Sequence, residues 1–206
     1  MKDKSCTKDK SCTKDKSRKV LIFSAPSGAG KSTIIRHLMD LYPSLGFSIS
    51  ATSRQPRGDE KDGVEYYFMT DEQFKEGIKN SLFVEYEEVY SGHYYGTLKS
   101  EVERIWAEDK VVVFDIDVQG GMRLKSLYGE DALSVFIMPP SPEVLRERLV
   151  ARGTDSPEAI ERRILKAEEE MSHSDKFDII LLNDSLERCK EEIVGIVLGF
   201  VNENCN

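Results

Sequence analysis

The fold of this chain is decided by residues 20–39, VLIFSAPSGAGKSTIIRHLM. The first four residues are apolar and predict a buried strand, and the residues from Ser32 onward have the apolar spacing of a helix. Between them, Gly28, Ala29 and Gly30 allow successive backbone N–H groups to turn towards an anion, and the start of the helix adds a partial positive charge. The order strand, loop and helix therefore predicts a site for the phosphates of a nucleotide.

The loop matches the pattern G-x-x-x-x-G-K-[ST] except at its first position, where Ala25 replaces glycine. An alanine fits there unless the loop needs a positive φ angle, so we expect a mild departure. Lys31 is expected to reach the β- and γ-phosphates, and the Ser32 hydroxyl to supply an oxygen ligand to Mg²⁺. The predicted phosphate site comprises Ala25, Pro26, Ser27, Gly28, Ala29, Gly30, Lys31, Ser32 and Thr33.

The composition is ordinary for a globular protein, with 206 residues of which 39% are hydrophobic and 32% charged. The longest apolar runs, such as residues 111–114, are much shorter than the ~20 residues of a membrane-spanning helix, so no membrane segment is expected. A net charge of −8 argues against a general nucleic-acid surface. The four cysteines lack C-x-x-C or metal-ligand spacing, which favours a reducing compartment and hence a cytoplasmic protein.

Residues 1–17 contain a repeat, in which Lys-Asp-Lys-Ser-Cys-Thr occurs at 2–7 and again at 8–13. The segment has almost no apolar side chains that could offset the entropy of ordering it. We therefore expect a disordered tail without a part in catalysis.

From residue 18 onward, short apolar strands alternate with helical segments, which is typical of an α/β fold with a parallel sheet. Five core strands are predicted, at Lys19–Ser24, Phe47–Ala51, Val111–Asp115, Leu133–Met138 and Ile179–Leu182. Helices are predicted at Ser32–Tyr42, Lys99–Glu108, Pro142–Ala151, Pro157–Ser172 and Leu186–Phe200.

Between residues 51 and 98 the pattern changes to alternating apolar and polar residues, which predicts a small antiparallel insert. Arg54 and Arg57 lie three residues apart within it, and two guanidinium groups are well suited to a phosphate monoester. Two solvated surface arginines are the alternative, but the insert also supplies hydroxyls and a carboxylate, from Tyr66, Tyr94, Tyr95, Thr97 and Glu85. Asp115 and Asp117 end a core strand, where carboxylates of a parallel sheet face the ligand crevice.

Five motifs, in order along the chain, resemble those of the guanylate kinase family. They are Ala-Pro-Ser-Gly-Ala-Gly-Lys-Ser-Thr, Thr-Ser-Arg-Gln-Pro-Arg, Gly-His-Tyr-Tyr-Gly-Thr, Asp-Ile-Asp-Val-Gln-Gly and Ala-Arg-Gly-Thr-Asp. The resemblance runs from about Lys19 to about Phe200. It implies a P-loop nucleoside-monophosphate kinase fold, with a parallel five-stranded sheet flanked by helices. The implied division is a core at 18–50, 99–140 and 173–206, a GMP-binding insert at 51–98 and a helical lid at 141–172.

The resemblance also implies which residues bind the substrates. It places GMP on Ser50, Arg54, Arg57, Tyr66, Glu85, Tyr95 and Thr97, with Asp115 and Asp117 beside the base or the metal. It places ATP on the P-loop, with Asn183 near adenine, and it makes Lys31, Arg54, Arg148, Arg152 and Arg163 the expected catalytic residues. The implied reaction is Mg²⁺-dependent transfer of the γ-phosphoryl group of ATP to GMP by a monomer or homodimer. Besides Ala25, one extra residue between Glu85 and Gly92 departs from the family pattern.

The residues themselves support this chemistry. A phosphate oxygen is already an anionic nucleophile, so the reaction needs no general base, and catalysis must come from positioning and charge neutralisation. A GTPase is excluded, because no [NT]-K-x-D motif follows the D-x-x-G match at 117–120. A kinase for another monophosphate would have less use for Glu85. A non-catalytic binding domain of the same family remains the alternative, although such domains lack the intact loop seen at Gly30, Lys31 and Ser32.

Overall fold

The computed structural model describes residues 18–90, 92–153 and 156–202, without the side chains of Tyr90 and Arg152. The predicted tail at 1–17 lies outside the described residues. The strands are β1 (Val20–Ser24), β2 (Leu45–Phe47), β3 (Ala51–Thr52), β4 (Tyr67–Phe68), β5 (Phe83–Tyr90), β6 (His93–Leu98), β7 (Val111–Asp115), β8 (Ala132–Met138) and β9 (Ile179–Leu182). The helices are α1 (Lys31–Leu41), α2 (Asp71–Lys79), α3 (Lys99–Ala107), α4 (Val118–Tyr128), α5 (Pro142–Arg152), α6 (Pro157–Ser172) and α7 (Leu186–Asn202).

The larger sheet contains five parallel strands in the order β2-β7-β1-β8-β9. Its central strand, β1, is completely buried because helices cover both faces. Leu21 and Phe23 pack with α1 and α7 on one face, while Val20 and Ile22 pack with α3 and α4 on the other. This confirms the predicted α/β fold with a five-stranded parallel sheet flanked by helices.

The predicted strand Phe47–Ala51 is wrong, because the chain leaves the core within this segment. The core strand β2 ends at Phe47, and Ala51 begins β3 in a second sheet. Residues 48–50, which connect the two sheets, are held by the buried carboxylate of Glu101 on α3. This carboxylate accepts a hydrogen bond from the backbone N–H of Ile49 at 3.1 Å. The alternating apolar and polar residues at 47–51 do not reveal such a change of sheet, since both halves have strand character.

The second sheet has the strand order β4-β3-β6-β5 and was predicted to be antiparallel. Two of its pairings are antiparallel, β3 with β6 and β5 with β6, but β3 and β4 run parallel. The connection between these two strands, residues 53–66, is a crossover, for which a parallel pair needs about a dozen residues or more. Phe74 of α2 and Phe83 of β5 stack at a centroid distance of 4.3 Å in the small core of this sheet.

A bulge interrupts β5 near its end, where Glu88 pairs with Tyr94 and Tyr90 pairs with His93. One more residue therefore lies on β5 than on β6 in this stretch. The extra residue expected between Glu85 and Gly92 falls in the same segment.

Helices α5 and α6 form a pair with its own buried cluster, which contains Leu145, Leu149, Ile160, Ile164 and Ala167. Both helices begin as predicted, since the side chains of Ser141 and Ser156 accept hydrogen bonds from the N–H groups of Val144 and Ala159. Along the three described stretches of the chain, we find no helix with the length and apolar character needed to cross a membrane.

Candidate active site

The loop between β1 and α1 has a backbone that requires glycine at two positions. Gly28 and Gly30 have φ angles of +95° and +98°, and a Cβ on Gly30 would lie 2.5 Å from Nδ2 of Asn183. Ala25 is buried at 8% exposure and has no positive φ angle, which explains why alanine is accepted there. No side chain caps the start of α1, so its first N–H groups remain open to an anion.

Lys31 connects the loop to the end of β7. Its Nζ lies 2.5 Å from Oδ1 of Asp115 and donates a hydrogen bond to the carbonyl of Ile116 at 3.1 Å. This contact follows from the topology, because β1 and β7 are parallel neighbours and Phe23 pairs with Asp115. The predicted convergence of the loop and Asp115 at the carboxyl edge of the sheet is therefore present.

Asp117 lies at the start of α4 and caps this helix, because its Oδ1 accepts a hydrogen bond from the N–H of Gly120 at 2.9 Å. It also lines the pocket above the loop, together with Ser32 and with Glu170 of α6. Burial raises the pKa of the Glu170 carboxyl, and Lys166 and Lys31 oppose this effect. Glu170 was not predicted from the sequence, since it lies in a long charged helix without a local motif.

Of the three catalytic arginines predicted in the lid segment 141–172, two contact residues at the P-loop and after β9. Arg163 of α6 donates to the hydroxyl of Ser27 at 2.9 Å, and Arg148 of α5 donates to the carbonyl of Asn183 at 2.9 Å. The side chain of Arg152 lies outside the described residues. These contacts bring the helix pair α5–α6 onto the loop.

Asn183, at the end of β9, supports the loop from beneath. The residue is 3% exposed, and its Nδ2 donates to the carbonyl of Ala29 at 2.7 Å. Its side-chain amide therefore faces the loop in this structure, and the expected contact with adenine stays a prediction.

Arg54 organises the predicted phosphate site of the insert. It is 6% exposed, and its Nε donates to the hydroxyl of Tyr95 at 3.1 Å. Its guanidinium also lies over the ring of Tyr66 at 4.8 Å and donates to both carboxylate oxygens of Glu60. Arg57 is exposed, and its backbone N–H donates to the same carboxylate at 2.8 Å. Glu60 was missed from the sequence, although its position six residues after Arg54 offered a signal.

Glu85 and Thr97 lie directly opposite each other on β5 and β6, and the Thr97 hydroxyl donates to Glu85 Oε1 at 3.0 Å. The Glu85 side chain is 7% exposed. Burial raises the pKa of its carboxyl to about 7, with Asp117 adding to the rise, while the bond from Thr97 opposes it. Ser50 lies where the chain enters this sheet, and its carbonyl accepts from the N–H of Tyr67 at 2.9 Å.

Two adjoining pockets form a crevice between the insert, the core and α6. Asp117 and Glu170 line both the loop pocket and an adjoining pocket whose other wall includes Glu87 of β5. On the insert side, burial raises the pKa of the Tyr66 hydroxyl, and the Asp115 carboxylate is near enough to raise it further. The anion-binding loop therefore lies at one side of this crevice and Glu87 of the insert at the other. Asp115 is near enough to Tyr66, and Asp117 near enough to Glu85, to raise the pKa of each group.

Comparison with known proteins gives one consistent family. Residues 17–197 match the family model described as guanylate kinase. The chain is 56% identical to a guanylate kinase of Bacteroides thetaiotaomicron, over 90% of this chain and 91% of that protein. It is 54% identical to a guanylate kinase of Porphyromonas gingivalis, over 89% and 98%.

A solved structure agrees with these sequence matches. The crystal structure of guanylate kinase from Anaplasma phagocytophilum superposes with a TM-score of 0.69 at 29% identity, covering 87% of this chain and 84% of that one. The family model and the relatives cover nearly the whole described chain, including the loop, the insert and the helix pair. This protein therefore belongs to the guanylate kinase family.

Proposed function

We propose that this protein transfers the γ-phosphoryl group of ATP to GMP, forming ADP and GDP, with Mg²⁺ as cofactor. The observation that carries the proposal is that two sites meet at the carboxylates Asp115 and Asp117. The loop with its backbone N–H groups and Lys31 lies on one side of them, and the insert with Arg54 and Glu85 lies on the other. Such a site suits two polyanionic nucleotides, because each needs its own set of donors before the phosphates can approach.

On the ATP side, the P-loop backbone and the start of α1 hold the phosphates, and Lys31 neutralises the charge that moves with the γ-phosphoryl group. Lys31 gives up its contact with Asp115 when it turns to the phosphates. Arg148, Arg152 and Arg163 add positive charge from the helix pair α5–α6. The support for Arg163 is its hydrogen bond to Ser27, since this bond already places a guanidinium at the loop.

On the GMP side, Arg54 and Arg57 bind the phosphate with the hydroxyls of Tyr66 and Tyr95. Glu85 reads the base, because its two oxygens can accept from the N1–H and the exocyclic amine of guanine. Ser50 and Thr97 assist it.

Mg²⁺ fits the donor set at the loop. The cation binds proteins through one or two oxygen ligands and keeps phosphate oxygens and waters as the others, so it needs no closed cage. The exposed hydroxyl of Ser32 would hold it, in a pocket that also contains carboxylates. Among the described residues no group of three or more metal-ligating side chains is present, which agrees with such a sparse site. When bound, the cation supplies neutralisation of the phosphate charge.

The helix pair α5–α6, with the segment 141–172, acts as a lid that excludes water from the transferred group. Water exclusion prevents transfer of the phosphoryl group to solvent. We place the reaction in the cytoplasm.

The test is an assay of ADP release with ATP and Mg²⁺, run without acceptor, with GMP and with AMP. We expect fast release with GMP and slow release in the other two reactions, because the acceptor must fill the insert site before transfer. ADP release that does not respond to GMP would contradict the proposal and favour a non-catalytic binding domain.

A further inference from the structure

Arg123 of α4 reaches across to β5 and lies beside two carboxylates. Its Nη2 is 2.5 Å from Oε2 of Glu87 and 3.9 Å from Oε2 of Glu85. Glu85 and Glu87 share one face of β5, because they are two residues apart on a strand. The guanidinium therefore connects a core helix with the strand that carries the base-reading carboxylate.

The approach of α4 depends on Gly120. A Cβ at this position would lie 2.5 Å from Cδ1 of Ile116 and 3.3 Å from Oε2 of Glu85. The bare backbone lets the first turn of α4 pack against the Glu85 carboxylate, and Arg123 follows one turn later. The distance between Arg123 and Glu85 is thus set by backbone packing as well as by the flexible side chain.

Recognition of guanine makes the charge of Glu85 important. Both N1–H and the exocyclic amine of guanine are donors, so the carboxyl must be ionised to accept from both. A protonated carboxyl would present an O–H donor to one of them. This step rests on the proposed function, in which Glu85 reads the base.

The surroundings of Glu85 do not favour its ionised form. Burial raises the pKa of the Glu85 carboxyl, the negative charges of Asp117 on α4 and Glu87 on β5 add to this rise, and the resulting pKa is about 7. Two groups act in the other direction, the hydroxyl of Thr97 on β6 and the guanidinium of Arg123 on α4. Arg123 is the cation among these neighbours, and Glu87 holds it through the shorter contact.

We propose that Arg123 is a positioning residue that keeps the Glu85 carboxylate ionised for guanine, and that Glu87 weakens this effect by holding the guanidinium away from Glu85. Arg123 is not among the residues assigned above to either substrate. It acts on the affinity for GMP through the protonation state of another residue.

Substitutions of the two neighbours should move the pH dependence in opposite directions. Use of GMP is lost as the pH falls through the pKa of Glu85, so a higher pKa moves this loss to higher pH. Arg123→Gln removes the cation and should shift the acid limb of kcat/KM for GMP upward by about 0.5–1 pH unit. We expect a smaller shift than for a buried cation, because the Arg123 side chain is 46% exposed and solvent screens its charge. Glu87→Gln removes a negative charge and releases Arg123, so it should shift the limb downward. Arg123→Lys keeps the charge and should remain close to the wild type.

The experiment measures kcat/KM for GMP at saturating ATP between about pH 5.5 and about pH 8.5. The phosphate of GMP itself titrates near pH ~6 and does so equally with every variant. The measured quantity is therefore the difference between the acid limb of each variant and that of the wild type. In the background of Glu85→Gln, Arg123→Gln should leave the profile unmoved. The KM for ATP and the melting temperature are the controls for folding.

A wild-type protein that does not phosphorylate GMP overturns the proposed function. If the wild type is active, the inference is overturned by an unmoved limb in Arg123→Gln, or by shifts of Arg123→Gln and Glu87→Gln in the same direction. A shift that persists in the Glu85→Gln background also overturns it. Should Arg123→Gln fail to fold, Arg123→Met takes its place in the same comparison, with the same upward shift expected.

Discussion

The guanidinium of Arg54 holds the carboxylate of Glu60 through two hydrogen bonds, with Nη1 and Nη2 at 2.6 and 2.8 Å from its oxygens. Arginine has five N–H donors, and two more of them reach the hydroxyl of Tyr95 and the carbonyl of Gln55. The bonds from Arg54, joined by the backbone N–H of Arg57, hold the pKa of Glu60 at about 2. A phosphate that approaches Arg54 therefore meets an ionised carboxylate already paired with it.

We predict that Glu60→Gln lowers the KM for GMP by about three- to ten-fold, because a neutral amide competes less well than a carboxylate for the guanidinium. The KM for ATP should stay nearly unchanged. Asp59→Asn removes the same charge from an exposed neighbouring residue and serves as the control. A raised KM for GMP in Glu60→Gln would mean that Glu60 holds Arg54 in its binding position instead of competing for it.

Lys31→Met should reduce kcat by at least ~10²-fold, the scale of losing a preorganised charge at the reacting group. The variant should remain folded, since Lys31 is partly exposed and its pair with Asp115 lies at the edge of the crevice. Lys110→Met, which removes a lysine from a surface ion pair with Glu108, is the matched control. Steady-state turnover and circular dichroism of both variants provide the measurement. Near-normal turnover of a folded Lys31→Met variant would contradict the assignment of the ATP site to the P-loop.

The choice of base should depend on Glu85. A site built to bond a particular donor can reject an analogue without it by ~10⁴–10⁵-fold, so the wild type should strongly prefer GMP to AMP. Glu85→Gln replaces one of the two acceptors with a donor, and kcat/KM for GMP should fall sharply while the weak AMP reaction changes little. Glu88→Gln on the same strand is exposed and is the control. An unchanged ratio of GMP to AMP efficiency would remove Glu85 from the specificity site.

Glu101 should link stability to pH. The carboxylate is buried, and bonds from Arg104, the Ile49 N–H and the Tyr67 hydroxyl outweigh its burial, so its pKa lies below the ordinary value. A depressed pKa stabilises the folded state above the unfolded pKa, and this contribution is lost as the pH falls through the folded pKa. Glu101→Gln should therefore lower the melting temperature at neutral pH.

The difference in melting temperature between Glu101→Gln and the wild type should begin to shrink as the pH falls below about 4.3, the ordinary pKa of glutamate, and should be smallest below the lowered pKa of the folded carboxyl. Glu103→Gln on the same helix is exposed and should show little difference at any pH. A melting-temperature difference between Glu101→Gln and the wild type that stays constant with pH would show that the ionised form of Glu101 does not stabilise the fold.

Much of the fold was determined by local sequence. The P-loop, the strands Val111–Asp115 and Ile179–Leu182 and the helix Pro157–Ser172 were predicted with the bounds that the structure has or close to them. Each depends on neighbours along the chain, through apolar periodicity, a capping serine or a glycine that permits positive φ.

Tertiary structure decided the features for which local signals were weak or conflicting. Helix α2 was missed although Thr70 and Gln73 form a capping box, and α4 was missed because Gly120 and Gly121 reduce helix propensity. A Cβ on Gly121 would lie 2.6 Å from Oγ of Ser24, so Gly121 serves the close packing of α4 on β1, whereas Gly120 serves the packing of α4 against Ile116 and Glu85. The presence of both glycines in α4 is therefore explained by close packing against segments that are distant in the sequence.

The site shows the same division. The sequence by itself determined that a P-loop, two closely spaced arginines and a carboxylate in the insert are present, because each residue type has its own chemistry. Only the tertiary structure decided that Glu60 holds Arg54 and that Arg123 faces Glu85, since α4 and β5 meet through strand register and backbone packing. Motifs report chemistry that neighbouring residues share, whereas contacts between distant residues depend on how the whole chain packs.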